Sequence, residues 1–337
     1  MITNPLGFAG NSHQTARTRH GWSIALQLAP DLYPGVGGKR FRAALLQRTH
    51  AFAGGGGAAP SSIVDAIEML HAGSLVLDDF EDGSLTRRNQ PALHREIGPA
   101  RAVNAGNWMY FRALELAGSG GGDPARSAAV VRRFIEVARQ CHEGQAIDLS
   151  TRIDEVTPRQ ARAAALAIAR WKTGRLVSLA AWCGAHAAAG DPQTLQAVAA
   201  FGCRVGICLQ MKNDLDELVE FVDGAERCDD LRTRRVTWPW AWAAEQLSEE
   251  GFAAMQRRLT ATQPTPDSLR PLARDLLGVT REIAAVAIDE RLRRAADRLA
   301  SATDHDGGAG PLAEMTESLR VTRQSTATLQ TVSEVNS

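Results

Sequence analysis

The sequence predicts an all-α protein, a multi-helix bundle with at least one helix buried on every side. Val, Ile and Thr nowhere alternate with polar residues over the length of a strand, while Ala, Leu and Arg dominate. Clusters of glycine and proline cut the chain into helix-sized pieces. Two of those pieces, 159–189 and 191–222, run long and mostly apolar or amphipathic, as helices inside a bundle must.

Taken in order, the breakers fall at 34–38, 54–60, 83–91, 118–124, 157–158, 190–192, 224–237 and 264–266. Between the second and third, Ile63, Ala66, Ile67, Leu70, Ser74, Leu75 and Leu77 recur at helical spacing and lead into an acidic end. No repeat of fixed period is visible. Residues 1–300 are expected to form one domain. From 301 to 337 the chain turns polar, which predicts a C-terminal helix remnant and a flexible tail, frayed from about 324 onward.

With 38 basic and 38 acidic residues among 337, formal net charge is zero, so no global field favours nucleic acid or an anionic membrane. Any anion must be held locally. A hydrophobic content of 44% suffices for a full core. The cysteines Cys141, Cys183, Cys203, Cys208 and Cys228 are odd in number and lack a C-x-x-C pair, which predicts reduced thiols in a cytoplasmic protein. Residues 1–30 carry no uninterrupted apolar core of a signal peptide, and no stretch reaches the ~18 apolar residues of a membrane span. Basic residues are unevenly chosen. Only Lys39, Lys172 and Lys212 are lysine, against 35 arginines, so the lysines mark places where a compact point charge is wanted.

The most informative run is His71 followed by Asp78, Asp79 and Asp82, then Arg87 and Arg88. Asp78 and Asp82 are four residues apart, so on a helix both carboxylates leave one face and can share a divalent cation. Hard oxygen ligands at that spacing suit Mg²⁺, which completes its shell with water and substrate phosphate. Arginine forks beyond them match phosphate oxygens. A second anion-binding candidate is Gly37, Gly38, Lys39, Arg40, Phe41 and Arg42, where glycines free the backbone to approach a ligand at a helix start. It lacks the spacing of a nucleotide-binding P-loop.

These strings, together with Glu68 to Leu75, Pro91 and His94, Asn104 to Asn107, Gly144 to Leu149, Lys172 to Leu176 and Gln210 to Asp214, resemble the trans-isoprenyl diphosphate synthases, or polyprenyl synthetases, in the family's order. The resemblance implies an isoprenoid synthase fold, with two aspartate-rich motifs facing a central cavity in a homodimer. It implies three Mg²⁺ ions on an allylic diphosphate, with Asp78, Asp79, Asp82, Asn213, Asp214 and Glu217 as the metal set. By the same resemblance Arg87 holds the allylic diphosphate, and Gly38, Lys39, Arg42, His71 and Arg88 hold isopentenyl diphosphate. Lys172, Thr173 and Gln210 stand near the departing diphosphate and the carbocation, and Arg235 joins the substrate-binding set.

The second motif departs from D-D-x-x-D. Asn213 stands in the place of an aspartate and Glu217 fills the last slot, so one ligand charge is lost, although asparagine still offers a carbonyl oxygen. Three readings follow: a prenyl elongase, a terpene cyclase on the same fold, or a regulatory subunit of a heteromeric synthase. The intact isopentenyl diphosphate set favours the first. The cyclase spacing N-x-x-x-S-x-x-x-E is absent, since 217 is Glu and 221 is Phe. Gly73 and Ser74, just before the first motif, are small, which in this family predicts a product beyond C15, here C20 geranylgeranyl diphosphate; Trp108, Tyr110 and Phe111 are candidates for a lower floor, or are ordinary core aromatics.

Overall fold

The computed structural model describes residues 40–87, 90–120, 123–261, 263–302, 310–317 and 319–320. Within them the chain is helical almost throughout: α1 (Phe41–Phe52), α2 (Ser61–Glu81), α3 (Leu93–Ile97), α4 (Pro99–Ser119), α5 (Pro124–Ser150), α6 (Pro158–Ile168), α7 (Arg175–Ala187), α8 (Pro192–Val222), α9 (Asp229–Thr233), α10 (Trp238–Gln246), α11 (Glu249–Ala261), α12 (Pro266–Ala302) and α13 (Gly310–Glu317). The strands among the described residues are two-residue pieces, β1 (Thr86–Arg87) and β2 (Gln90–Pro91), paired antiparallel.

Several breakers turn out to be helix starts with a defined chemistry. Asp191 accepts from the backbone N–H groups of Gln193 (2.8 Å) and Thr194 (3.0 Å), and Pro192 takes the first helical position, where its missing donor costs nothing. Thr157 and Gln160 form a reciprocal capping box ahead of α6, again with proline next. The segment 159–189, expected to be one long helix, is interrupted: α6 and α7 are joined by a single π-helical turn, Ala169–Gly174. Such turns carry an extra residue in the hydrogen-bond ladder and are frequent at functional sites.

The described chain comprises two compact units. The first contains residues 62–120. Its core cluster gathers Ala72 and Val76 of α2, Leu93 of α3, and Ala102, Ala105 and Met109 of α4. Glycines bring α2 and α4 together: a Cβ on Gly73 would lie 2.9 Å from the Gly106 carbonyl oxygen, and one on Gly106 would lie 2.9 Å from Leu77 Cγ. Gly73 is therefore small because α4 crosses there. The room it leaves is filled by Met109 and Tyr110. Phe111 points away from this core and is 68% exposed.

The second unit contains residues 42–61 and 121–320. Here α8 packs against α7 and α12. Gly202 and Gly206 lie so close to α7 and the π turn that a Cβ would meet Ala181 Cβ at 2.9 Å or Gly174 Cα at 2.7 Å. Among the described residues α8 alone is long and apolar enough to cross a membrane by length and composition, and 56% of its apolar window is buried inside the fold. The short α10 is buried on every side, with Trp240 and Trp242 in the core. The all-α class matches the expectation from sequence, while the helix buried nearly all round is the short α10 and not one of the two long segments.

Candidate functional site

In the first unit, His71 and Asp78 fall two turns apart on α2, and Asp82 follows the last helical residue with its N–H still bonded to the Asp78 carbonyl at 2.9 Å. Helical geometry thus persists through Asp82, and both carboxylates keep access to solvent while Asp79 turns inward and is fully buried. Asp79 is held by Arg87, whose Nε donates to Oδ1 at 2.8 Å and whose Nη2 donates to the same oxygen. The guanidinium also lies 3.7 Å from Asp78. The β1–β2 hairpin brings Arg87 back onto the helix end, which no spacing rule could have indicated. Ser74, half-buried, spends its hydroxyl on the His71 carbonyl at 2.7 Å. Gly38, Lys39 and Arg88 lie outside the described residues.

Among the described residues no group of three or more His, Cys, Asp and Glu side chains stands ready to hold a metal alone. Two accessible carboxylates one turn apart suit a cation that takes its remaining ligands from water and a bound anion, which is the habit of Mg²⁺. The fit at Asp78 and Asp82 is good on that ground. Asp79, with its carboxylate engaged by arginine, is placed to hold Arg87 rather than to face a ligand.

The second unit holds the remaining candidates. Lys172 lies in the π turn and donates to Asp148 Oδ2 on α5 at 2.8 Å. Arg235 Nη1 donates to the backbone carbonyl of the same Asp148 at 2.7 Å. Next to Lys172, the hydroxyl of Thr173 donates to Gln210 Oε1, Gln210 Nε2 donates to Asp214 Oδ1 at 2.7 Å, and Trp238 N–H donates to Asp214 Oδ2 at 2.9 Å. A relay thus runs from the π turn through α8 to the first turn of α10. In it the Gln210 carbonyl, expected near a cation, is taken by Thr173, with the amide orientation assigned from this network.

Asp214 is almost wholly buried, and its carboxyl is pushed up to about 7, first by desolvation and further by the charges of Asp148 and Glu217; the Trp238 and Gln210 donors pull the other way. Burial likewise raises Glu217, whose Oε1 accepts from the Asp230 N–H at 3.2 Å. Asn213 is exposed on α8, and Lys212 pairs with Asp216 one turn on at 2.8 Å. Asn213 is therefore the member of the second motif open to a ligand, while Asp214 and Glu217 are engaged by protein donors. Arg42 is half-buried on α1, close enough for its charge to act on the Cys141 thiol.

Sequence reasoning placed Asp148 inside a matching string but gave it no role. Its partner Lys172 lies 24 positions away, beyond any local pattern. The Gln210–Asp214 contact, by contrast, sits at i,i+4 on one helix and was open to that rule.

A family described as polyprenyl synthetase matches residues 26–274. Geranylgeranyl pyrophosphate synthase 2 of Zymoseptoria tritici is 28% identical across 64% of this chain and 63% of its own length. The short chain isoprenyl diphosphate synthase of Methanothermobacter thermautotrophicus is 27% identical across 78% of this chain and 80% of its own. Among solved structures, the geranylgeranyl pyrophosphate synthetase from Pyrococcus horikoshii superposes with a TM-score of 0.73 at 24% identity, covering 90% of this chain and 93% of that one. A polyprenyl synthase from Caulobacter crescentus gives 0.72 at 21% identity, covering 91% and 93%.

Proposed function

Because this chain belongs to the polyprenyl synthetase family, we propose that it is a trans-prenyltransferase that condenses isopentenyl diphosphate with an allylic diphosphate to give all-trans C20 geranylgeranyl diphosphate. The observation that carries the proposal is the pair of accessible carboxylates, Asp78 and Asp82, at the end of an otherwise apolar helix. The names of the relatives support a short-chain product. Gly73 packs directly against α4, so its small size is also used in that helix crossing.

In this reading Asp78 and Asp82 of the first unit would hold Mg²⁺, and Asn213 of the second would offer a metal-ligating oxygen of its own, three ions in all. When bound, Mg²⁺ would neutralise charge building on the departing diphosphate. Lys172, steadied by Asp148, adds a fixed positive charge for the same group. The allylic C–O bond breaks heterolytically, and diphosphate leaves with the electron pair. The isopentenyl double bond then attacks the allylic cation, and the released diphosphate takes the final proton. Thr173, Gln210 and Asp214 hold the π turn that carries Lys172. Arg42, His71, Arg87, Arg235 and, outside the described residues, Gly38, Lys39 and Arg88 are assigned to the two diphosphates. A homodimer in the cytoplasm completes the proposal, supported by five free thiols.

The test is incubation of the protein with Mg²⁺, radiolabelled isopentenyl diphosphate and C5, C10, C15 or C20 allylic primers, with products resolved by chain length. Labelled C20 product is expected. No incorporation from any primer would refute the elongase. Asn213 favours one competing reading, a cyclase, which release of hydrocarbon from geranylgeranyl diphosphate alone would establish.

A further inference from the structure

The larger unit holds a second feature, lined by none of the residues assigned above to substrate or metal. A groove of about 950 Å³ opens between α5, α6, α7 and α8, a volume typical of sites for small molecules. Arg132 and Arg133 of α5, Arg170 of the π turn, Arg175 at the start of α7 and Arg204 of α8 line it. Glu136 is the single carboxylate among its lining residues, and it is already paired with Arg133 at 3.0 Å. Five positive charges against one negative leave an excess of four.

Such crowding costs stability in the empty protein, because like charges repel and each guanidinium gives up hydration. Two signs of that cost are present. The Nε atoms of Arg133 and Arg175 are buried with no hydrogen-bond partner. Arg204 is held below its ordinary range, first by the loss of hydration on burial and then by the charge of Arg298, which lies outside the groove lining. Indole faces hold two of the guanidinium groups in place: Arg133 lies 5.9 Å from the centre of Trp182 and Arg175 lies 5.3 Å from that of Trp171. Apart from Ser178 and Gln196 the rest of the wall is apolar, with Leu166 39% exposed and Ile207 deeper in.

We propose that this groove binds an amphiphile with a phosphate or diphosphate head, the arginines taking the head and Trp182, Leu166 and Ile207 taking the apolar chain. Guanidinium forks match phosphate oxygens in pairs, whereas a purely apolar ligand would leave the charges uncompensated and inorganic phosphate would leave the apolar wall wet. The site extends beyond the proposed transferase activity and does not depend on it. Arg170 lies within the π turn of Lys172 and Thr173, and Arg175 directly follows it, so an occupied groove grips the backbone that carries those residues.

The experiment uses the full chain in EDTA, where the carboxylates of the aspartate motifs repel phosphate. Isothermal titration with dodecyl phosphate below its critical micelle concentration tests a free ligand, and vesicles of phosphatidylcholine with phosphatidic acid test a lipid headgroup. Saturable binding in either arm is expected, at least tenfold tighter than inorganic phosphate and weakened at least tenfold in the triple variant R132Q/R170Q/R204Q, whose positions are exposed or half-buried. Trp182→Leu should lower dodecyl phosphate affinity to that of inorganic phosphate. Saturation in the first arm assigns a free ligand, and saturation in the vesicle arm alone assigns a membrane lipid. No saturable binding in either arm, or a triple variant of unchanged helical content and unchanged affinity, would overturn the assignment, as would inorganic phosphate binding as tightly as the amphiphile.

Discussion

Gly144→Ala is the sharpest probe of the site, because it adds one methyl group at the place where α5 meets the π turn. The new Cβ would lie 2.7 Å from the Lys172 backbone nitrogen, 2.8 Å from Trp171 Cβ and 3.0 Å from the Trp171 carbonyl carbon. Ordinary contact begins at 3.4 Å, so the turn must retreat by about 0.7 Å. It has little room to do so. On its far side Gly206 of α8 already approaches so closely that a Cβ there would sit 2.7 Å from Gly174 Cα. Overpacking of this kind costs ~1–3 kcal/mol, and the better helix propensity of alanine returns up to ~1 kcal/mol. Net destabilisation of ~1–2 kcal/mol should appear in urea unfolding. The larger effect is on turnover, since shifts approaching 1 Å at a positioned group cost ~100-fold. Incorporation of labelled isopentenyl diphosphate should fall by ~10–100-fold, mostly in kcat. The matched control is Gly278→Ala in α12, where a Cβ meets nothing within 4 Å; it should stabilise by ~0.5–1 kcal/mol and leave the rate alone. If Gly144→Ala matches the parent in both stability and rate, the view of Lys172 as held by a pinched π turn is wrong.

Other substitutions address single links. Asn213→Asp restores a carboxylate at the exposed position of the second motif and should lower the Mg²⁺ concentration for half-maximal rate several-fold; an unchanged Mg²⁺ titration would show that the position does not meet the metal. Arg87→Ala strips the buried Asp79 carboxylate of its partner and should cost ~2 kcal/mol, discounted for the 32% exposure of the arginine. Adding Asp79→Asn should recover much of that stability but not activity, and failure of this rescue would count against the pairing. Asp214 supplies a pH signature in metal-free protein. Its carboxyl sits at about 7 in the fold against 3.8 ordinarily, so between those values the folded state holds a proton that the unfolded chain has released. Stability should therefore fall as pH rises from about 4 to 7, and Asp214→Asn should flatten that slope; an identical slope in the variant refutes the assignment.

The helix boundaries were legible because their chemistry is local. Thr157 and Asp191, each followed by proline, announce caps that the fold uses in that way. The Asp78–Asp82 face was legible for the same reason, as a spacing within one helix. What sequence could not show depends on contacts between distant segments. The hairpin that returns Arg87 to Asp79, the pairing of Lys172 with Asp148, and the donation of Trp238 N–H to Asp214 each join residues with no common period. The π turn was hidden for a different reason: nothing in Ala169–Gly174 breaks the helical run before Gly174, and the close approach of α5 and α8 to this turn joins segments far apart in sequence. Gly73 shows the same limit: its small size was visible in the sequence, but its close crossing with α4 was not.

The bond from Trp238 to Asp214 has an optical consequence. Trp238 stacks obliquely on Trp242, with ring centres 5.7 Å apart, and Arg291 lies 5.4 Å from its ring. Any movement that withdraws the Asp214 carboxylate removes the acceptor from the first turn of α10, which carries this indole. Asp214 is thus wired to a native chromophore, and the integrity of its bond to α10 can be followed by near-ultraviolet dichroism in the unmodified protein, without label or substrate.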